Sequence, residues 1–499
     1  MDEVLVRTSD GLLRGSGVGS VARFAGIPYA APPIGPLRWR PPAPVEPWEG
    51  ERPAQRFAPA PLQGQPPRDN IMWHANFADS HALVMSEDCL YLNVWTPDPG
   101  GSGLPVLVFL QGGGNRFGHG GQEVHDGAAL ARRGIVVVTL SVRLGILGFL
   151  AHPELAAEDE LGACGNYGVL DALAALEWVQ QHIVAFGGDP AKVTFGGNSA
   201  GAVVVTHLMA SHLGRGLFRA AIGQSAAGVY RAEGALPSHT EAQEHGLAAL
   251  GPLAKAPLAR LRRLSGASFL LDAHLGVVVD GRVVTEQTDA VFERGGQVSV
   301  PLLAGWNTDE GANFTPAAAL PALRSRILEG PHGAVLAEHY PVDDARLQAS
   351  ARAFTGDAKF AGPVLAWART HVATSEAPTW VYEFDQAPPL PAGLDLVPPA
   401  DGGAGYGVFH TAELPYISDN LDCRPWDWRE CDRELAGSTA DAWARFVADL
   451  DPNGPGLPQW PAFDGGRDGM AMRLNEQPGA APIRRAAALA VLAGLPRPL

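Results

Sequence analysis

Lysine is nearly absent from this chain. Lys192, Lys255 and Lys359 are the only lysines among 37 basic residues, which face 53 Asp and Glu for a formal charge of −16. That deficit argues against nucleic acid as a partner, because such binding needs basic side chains to neutralise phosphates. Cysteine is scarce too, and four in 499 residues cannot build a disulfide scaffold. Cys423 and Cys431 are near enough in sequence either to bridge or to remain two thiols, and their spacing fits no zinc pattern. No apolar run reaches the ~18–20 residues of a membrane span. The opening Met1-Asp2-Glu3-Val4 has neither the basic nor the apolar segment of a signal peptide, so the expected compartment is the cytoplasm. Glycine and proline, at 60 and 43 residues, stay below a low-complexity composition. Arginine, alanine and glycine are abundant, as in a GC-rich bacterial coding sequence, and 46 % hydrophobic residues suffice for a large core.

The most informative segment is Phe195-Gly196-Gly197-Asn198-Ser199-Ala200-Gly201. An apolar run, Val193-Thr194-Phe195, ends in G-x-S-x-G, and a helix-like stretch from Ala202 to Met209 follows at once. This is the strand–turn–helix context of a nucleophile elbow, where small flanking residues let strand and helix pass closely beneath an exposed Ser Oγ. Ser199 is therefore the candidate nucleophile. A serine hydroxyl also needs a base, an orienting acid and an oxyanion hole. Val106-Leu107-Val108-Phe109-Leu110 reads as a buried parallel strand and runs into Gln111-Gly112-Gly113-Gly114. Consecutive glycines let N–H groups converge on one point, so the candidate donors are Gly113, Gly114 and Ala200.

The acid and the base should follow the serine in that order. Val300-Pro301-Leu302-Leu303-Ala304-Gly305 delivers Asp309 and Glu310, and a later loop carries His410 ahead of a helical segment. The motif alone chooses neither between the two carboxylates nor among the 15 histidines. Two other patterns carry little. Gly15-Ser16-Gly17-Val18-Gly19 lacks the strand–helix context of a dinucleotide loop and reads as a turn between early strands. His119 and His125 lack a third metal ligand.

Taken together, these residues resemble the type-B carboxylesterases of the α/β-hydrolase superfamily, which include carboxylesterases, cholinesterases and bacterial para-nitrobenzyl esterases. Further matches are Phe24-Ala25-Gly26-Ile27-Pro28-Tyr29, Ser86-Glu87-Asp88-Cys89-Leu90-Tyr91-Leu92-Asn93, Gly165-Asn166-Tyr167-Gly168 and Asp451-Pro452-Asn453, so the likeness spans nearly the whole chain. The resemblance implies an α/β fold with a large, mostly parallel central sheet flanked by helices. It implies hydrolysis of carboxylic esters through an acyl-enzyme, with Ser199, Glu310 and His410 as triad and no metal or organic cofactor. The same machinery also serves carbamate or amide cleavage and acyl transfer, and some relatives have lost catalysis and act as binding modules.

The resemblance further implies Ser225 as a serine hydrogen-bonding near the acid–base pair, Asp309 as structural, and Arg38–Glu87 and Arg143–Asp171 as internal ion pairs. Two positions depart from the common pattern. Gln111 replaces a histidine, and Asn198 replaces a glutamate beside the nucleophile, which removes a negative charge and points to neutral rather than choline esters. Cys89 is the first cysteine, so the upstream disulfide of secreted relatives cannot form here. Length alone would suggest about three domains, but the spread of the triad points to a single domain, residues 1–499. Helical insertions at about 230–297 and 315–400 are expected to wall a gorge over the serine, with Trp73, Phe117, Tyr230, Trp306 and Phe314 as candidate wall aromatics. Small-molecule esters are the expected partners, and monomer and homodimer are both compatible with the sequence.

Overall fold

Strand alternation builds the molecule. In Leu104–Leu110, Val106, Val108 and Leu110 enter one hydrophobic cluster while Leu107 and Phe109 enter another, so the strand is buried on both faces. Seven such strands run parallel: Val136–Leu140, Leu104–Leu110, Gly188–Asn198, Ala220–Gln224, Leu302–Asn307, Thr379–Phe384 and Met470–Leu474, in that spatial order. Antiparallel strands extend both edges, and Glu51–Pro53 pairs in parallel with Leu12–Val18 off the main path, giving thirteen among the described residues. The computed structural model describes residues 3–494 except 79–82, 231–233, 330–331, 392, 395, 397–404 and 467–468. Helices cover both faces. Tyr167–His182 packs into the cluster of Val106 and Val108, and Glu430–Asp449 into that of Leu107. This is the α/β-hydrolase arrangement expected from the sequence.

Some local readings shift. Gly15 to Val18 lie inside the strand Leu12–Val18, and the turn comes at Gly19 and Ser20. The inserted regions hold helices His239–Leu250 and Gly362–Thr374 and the short helical turn Leu258–Leu261, which starts directly after Pro257. The parts of the insertions at 231–233, 330–331, 392, 395 and 397–400 lie outside the described residues. Cys423 and Cys431 are both thiols with no disulfide between them. Among the described residues, no helix is long and apolar enough to cross a membrane.

Two buried ion pairs tie the insertions and loops to the sheet. Arg143 Nη2 lies 2.6 Å from Asp171 Oδ1, with side chains 3 % and 0 % exposed. Arg38 Nη2 lies 2.6 Å from Glu87 Oε2, and the same guanidinium donates to the carbonyls of Leu261 and Leu264. Asp171→Ala strands the Arg143 cation in the interior and should lower the unfolding free energy by about 3–5 kcal/mol. Glu87→Ala should cost less, because the Glu87 side chain is 13 % exposed against 0 % for Asp171, so water can reach the place it leaves. Urea denaturation of the two variants beside the parent checks the order.

Candidate active site

The strand Gly188–Asn198 ends in a turn so tight that two backbones nearly touch. A Cβ on Gly201 would sit 2.1 Å from the Leu110 carbonyl oxygen, and one on Gly197 would sit 2.5 Å from the carbonyl carbon of Gly201. Ser199 takes φ 52°, in the left-handed region, and the helix Ala200–Ala210 begins immediately after it. Its N–H donates to the Gln224 carbonyl at 2.7 Å, which ties the turn to the neighbouring strand.

His410 arrives from the far end of the chain, and its Nε2 lies 2.9 Å from Ser199 Oγ. Its Nδ1 lies 2.8 Å from Glu310 Oε2. That pattern assigns the proton to Nδ1 and leaves Nε2 to accept from the serine hydroxyl. Glu310 caps the strand Leu302–Asn307, where its Oε1 accepts the Asn307 N–H at 2.6 Å. Asp309 points elsewhere, with its Oδ1 3.7 Å from Arg352 Nε and its Oδ2 accepting from Val408 N–H. The structure therefore brings Ser199, His410 and Glu310 together and leaves Asp309 outside. Phe360 stacks on the imidazole at 4.4 Å and Phe314 meets it edge-on at 5.5 Å, so apolar rings shield the base from water. The next residue, Thr411, has φ 77°, a conformation that strains a β-branched side chain. The amide of Asn76 donates to its Oγ1 at 2.7 Å and helps hold it there.

A second carboxylate behind the triad had no signal of its own in the sequence. Glu413 is fully buried and accepts from Asn198 Nδ2 at 3.0 Å and from Asn307 Nδ2 at 2.5 Å. Asn307 thus serves both carboxylates, Glu310 with its backbone and Glu413 with its side chain. Burial pushes the Glu413 carboxyl up to about 7; the Glu310 charge adds to this, and the Asn307 hydrogen bond opposes it. Tyr382 also faces the pair, and its phenol is held well above its ordinary value by burial and then by the charges of Glu413 and Glu310. Asn198, expected only as a missing charge, is in fact a donor to Glu413. Ser225 departs from expectation: it is fully buried with φ 55°, but its Oγ makes no hydrogen bond among the described residues. Asn307 does the bracing expected of it.

Gly113 and Gly114 have φ 118° and 62°, and a Cβ on Gly113 would strike the Phe117 carbonyl at 2.1 Å. The Gly113 carbonyl accepts from the N–H of Arg116 and of Phe117, both at 3.0 Å, which fixes the turn. Gln63 clasps the following stretch, accepting from Gly118 N–H at 2.7 Å and donating to Gly118 O at 3.0 Å. Among the described residues, the N–H groups of Gly113 and Gly114 donate to no backbone carbonyl, and that of Ala200 opens a helix and has no intrahelical acceptor. All three residues line the cavity that contains Ser199, of about 840 Å³. Gln111 is buried, with its Oε1 unpartnered among the described residues, and does not line this cavity.

Of the five aromatic candidates, Phe117 and Phe314 line the cavity and the other three do not. Trp306 shares strand parity with Leu302 and Ala304, which turns it into the core beneath the helices. Trp73 lies under the Arg68 guanidinium, 5.4 Å from its ring centroid. Tyr230 is held away by hydrogen bonds to Thr370 and Glu293. The wall instead uses Phe77, Phe149 and Phe360, which no spacing marked out. His119 is spent locally, accepting from Gly121 N–H, while His125 packs on Phe109 and reaches the cavity.

A serine, a buried histidine and a buried carboxylate in one hydrogen-bonded line, set at the carboxyl ends of a parallel sheet, define a serine hydrolase of the α/β class. The sequence profile of the carboxylesterase family matches residues 2–330 and 332–491, and the chain belongs to that family. It is 35 % identical to fumonisin B1 esterase of Sphingopyxis macrogoltabida over 96 % of this chain and 88 % of that protein. It is 31 % identical to para-nitrobenzyl esterase of Bacillus subtilis (strain 168) over 93 % of each. A solved structure of PNB esterase superposes with a TM-score of 0.79 at 29 % identity, covering 96 % of this chain and 97 % of that one. The chain is a carboxylic ester hydrolase.

Glu413 sets a pH dependence of stability. Its carboxyl ionises near 4.5 when unfolded and near 7 when folded, so the native state holds the extra proton between those values. The stabilisation is fully present below pH 4.5 and is lost as pH rises through 7, by roughly 3 kcal/mol in all. Glu413→Gln removes this titration. Urea unfolding from pH 5 to 7 should therefore show a flatter decline of stability in the variant than in the parent.

Proposed function

We propose that Ser199 is the nucleophile, His410 the general base and then acid, and Glu310 the carboxylate that orients and stabilises the imidazolium. The observation that carries this reading is the unbroken line Glu310 Oε2–His410 Nδ1 at 2.8 Å and His410 Nε2–Ser199 Oγ at 2.9 Å. Ser199 Oγ attacks the acyl carbonyl while its proton passes to His410 Nε2. The oxyanion takes hydrogen bonds from the N–H groups of Gly113, Gly114 and Ala200. Such donors act where charge develops, and each is worth about 10²–10³ in rate. The C–O bond to the alcohol breaks as His410 returns the proton to the leaving oxygen. Water, deprotonated by His410, then attacks the acyl-serine and releases the acid. All these groups come from one chain, so a monomer suffices for the chemistry.

We read the chain as one catalytic domain whose insertions at 230–297 and 315–400 wall the gorge. The substrate is a small carboxylic ester without a cationic group. Asn198 takes the place of a carboxylate beside Ser199, and no Asp or Glu lines the cavity among the described residues. A quaternary ammonium would find no counter-charge there.

Hydrolysis of p-nitrophenyl esters from acetate to decanoate tests the reading. Ser199→Ala should lose at least about 10⁴-fold in kcat. Acetylthiocholine should be cleaved no faster than a neutral thioester of the same acyl group. A strong preference for the choline compound would sink the specificity, and full activity in Ser199→Ala would sink the mechanism.

A further inference from the structure

Between His410 and the short helix Leu414–Ile417 the chain turns at Thr411, whose φ of 77° sets the direction in which the histidine stands off that helix. The Leu414 N–H donates to the Thr411 carbonyl at 3.2 Å, so the turn is fixed on its downstream side. A β-branched residue resists the left-handed region, because its branched side chain crowds the backbone there. Left to itself, Thr411 would return to negative φ, and the peptide joining it to His410 would swing. That swing would carry His410 Nε2 away from Ser199 Oγ, which it now meets at 2.9 Å.

What opposes that return comes from a distant part of the chain. Asn76, 335 residues away in sequence, donates from Nδ2 to Thr411 Oγ1 at 2.7 Å. The Thr411 hydroxyl in turn donates to Met72 Sδ at 3.7 Å. Asn76 and Thr411 are both buried, so bulk water does not compete for their bond. Asn76 belongs to the wide helical turn Trp73–Phe77, and that turn is anchored on two further sides. The Asn76 carbonyl accepts from Gln122 Nε2 at 2.8 Å, and Gln122 Oε1 accepts the His119 N–H at 3.1 Å, on the loop that continues from Gly113 and Gly114. The Ala75 carbonyl accepts from Arg424 Nε at 3.0 Å, from further along the segment that bears His410. Asn76 thus stands between the glycine loop and the histidine turn, with a hydrogen bond toward each. A residue that only filled space in the gorge wall would need neither bond.

We propose that Asn76 is a positioning residue for ester hydrolysis. Its amide clamps Thr411 in the left-handed conformation, and through that strained residue it keeps His410 Nε2 on the Ser199 hydroxyl for every proton transfer of the cycle. Its carbonyl keys the same turn to the glycine loop, so that the base and the loop facing it move as one body. The proposal rests on His410 acting as the base, and adds to that reading the side chain that holds the base in place.

The test is steady-state hydrolysis of p-nitrophenyl butyrate. Asn76→Ala should lower kcat by about tenfold to a hundredfold, the scale of loss when a reacting group is slightly misplaced. KM should stay within about threefold, because acylation and deacylation both pass through His410 and slow together. The decisive variant combines Asn76→Ala with Thr411→Gly. Glycine takes positive φ without strain and needs no clamp, so kcat should recover to within about threefold of Thr411→Gly alone. Loose packing at Asn76 would give no such recovery. A kcat in Asn76→Ala within about twofold of the parent overturns the proposal, as does a loss carried wholly by KM or a double variant no faster than Asn76→Ala. Should Asn76→Ala fail to fold, Thr411→Val and Thr411→Ser decide. Valine keeps the branched shape without the acceptor and should be slow, while serine keeps the acceptor and should restore the rate; equal rates in the two overturn the proposal. Failure of the underlying reading looks different: His410→Ala would hydrolyse the ester as fast as the parent, and the proposal then falls with it.

Discussion

One close approach of two backbones is the constraint on which the site depends. Where Gly197, Gly201 and the Leu110 carbonyl meet, there is room for hydrogen atoms and nothing larger. That contact lets the helix Ala200–Ala210 start directly off a strand of the parallel sheet. It forces Ser199 into the left-handed region, so the hydroxyl projects from the turn instead of packing along it. It also aims the first N–H of the helix at the cavity, next to the glycine loop that follows the adjacent strand. The Ser199 hydroxyl and the N–H groups of Ala200 and the glycine loop therefore share one origin. A larger side chain at either glycine would displace both together.

The second organising residue is Asn307. Two carboxylates lie buried behind His410, an arrangement that would be strongly repulsive if neither were compensated. The Asn307 backbone binds one and its side-chain amide binds the other, while Asn198 completes the second. A glutamate in place of Asn198 would set another carboxylate against Glu413, where the amide now donates. The local substitution thus belongs to a neighbourhood, and its meaning lies in Glu413 as much as in the substrate.

Much of the fold and of the triad was legible in the sequence because the chemistry lies in short, contiguous signals. Strand, glycine turn and helix around Ser199 are adjacent, as are strand and glycines from Val106 to Gly114, and both were found where expected. The choice of Glu310 over Asp309 rested on family likeness. In the structure it follows from the Asn307 N–H, which holds Glu310 toward His410 while Asp309 turns to Arg352. What the sequence left hidden was set by packing between distant segments. Trp306 looks like a wall residue from its place near the acid, but strand parity buries it. Phe360 shields His410 from a helix in an insertion, and Gln63 clasps a loop 55 residues away. No local pattern marks such partners, since each is defined by what the sheet brings next to it.

The order of the strands in space, set against their order in the chain, has a consequence for biosynthesis. Ser199 and the glycine loop come from strands that are neighbours in the sheet and are translated early. The acid follows about a hundred residues later and the base about a hundred after that, each from a loop beyond a further parallel strand. A growing chain can thus assemble its elbow while lacking anything to deprotonate the serine. Parallel strands joined across long intervals are slow to pair. An elbow without the docked segment that bears His410 lacks the imidazole beside the Ser199 hydroxyl, so the finished constellation requires the whole sheet.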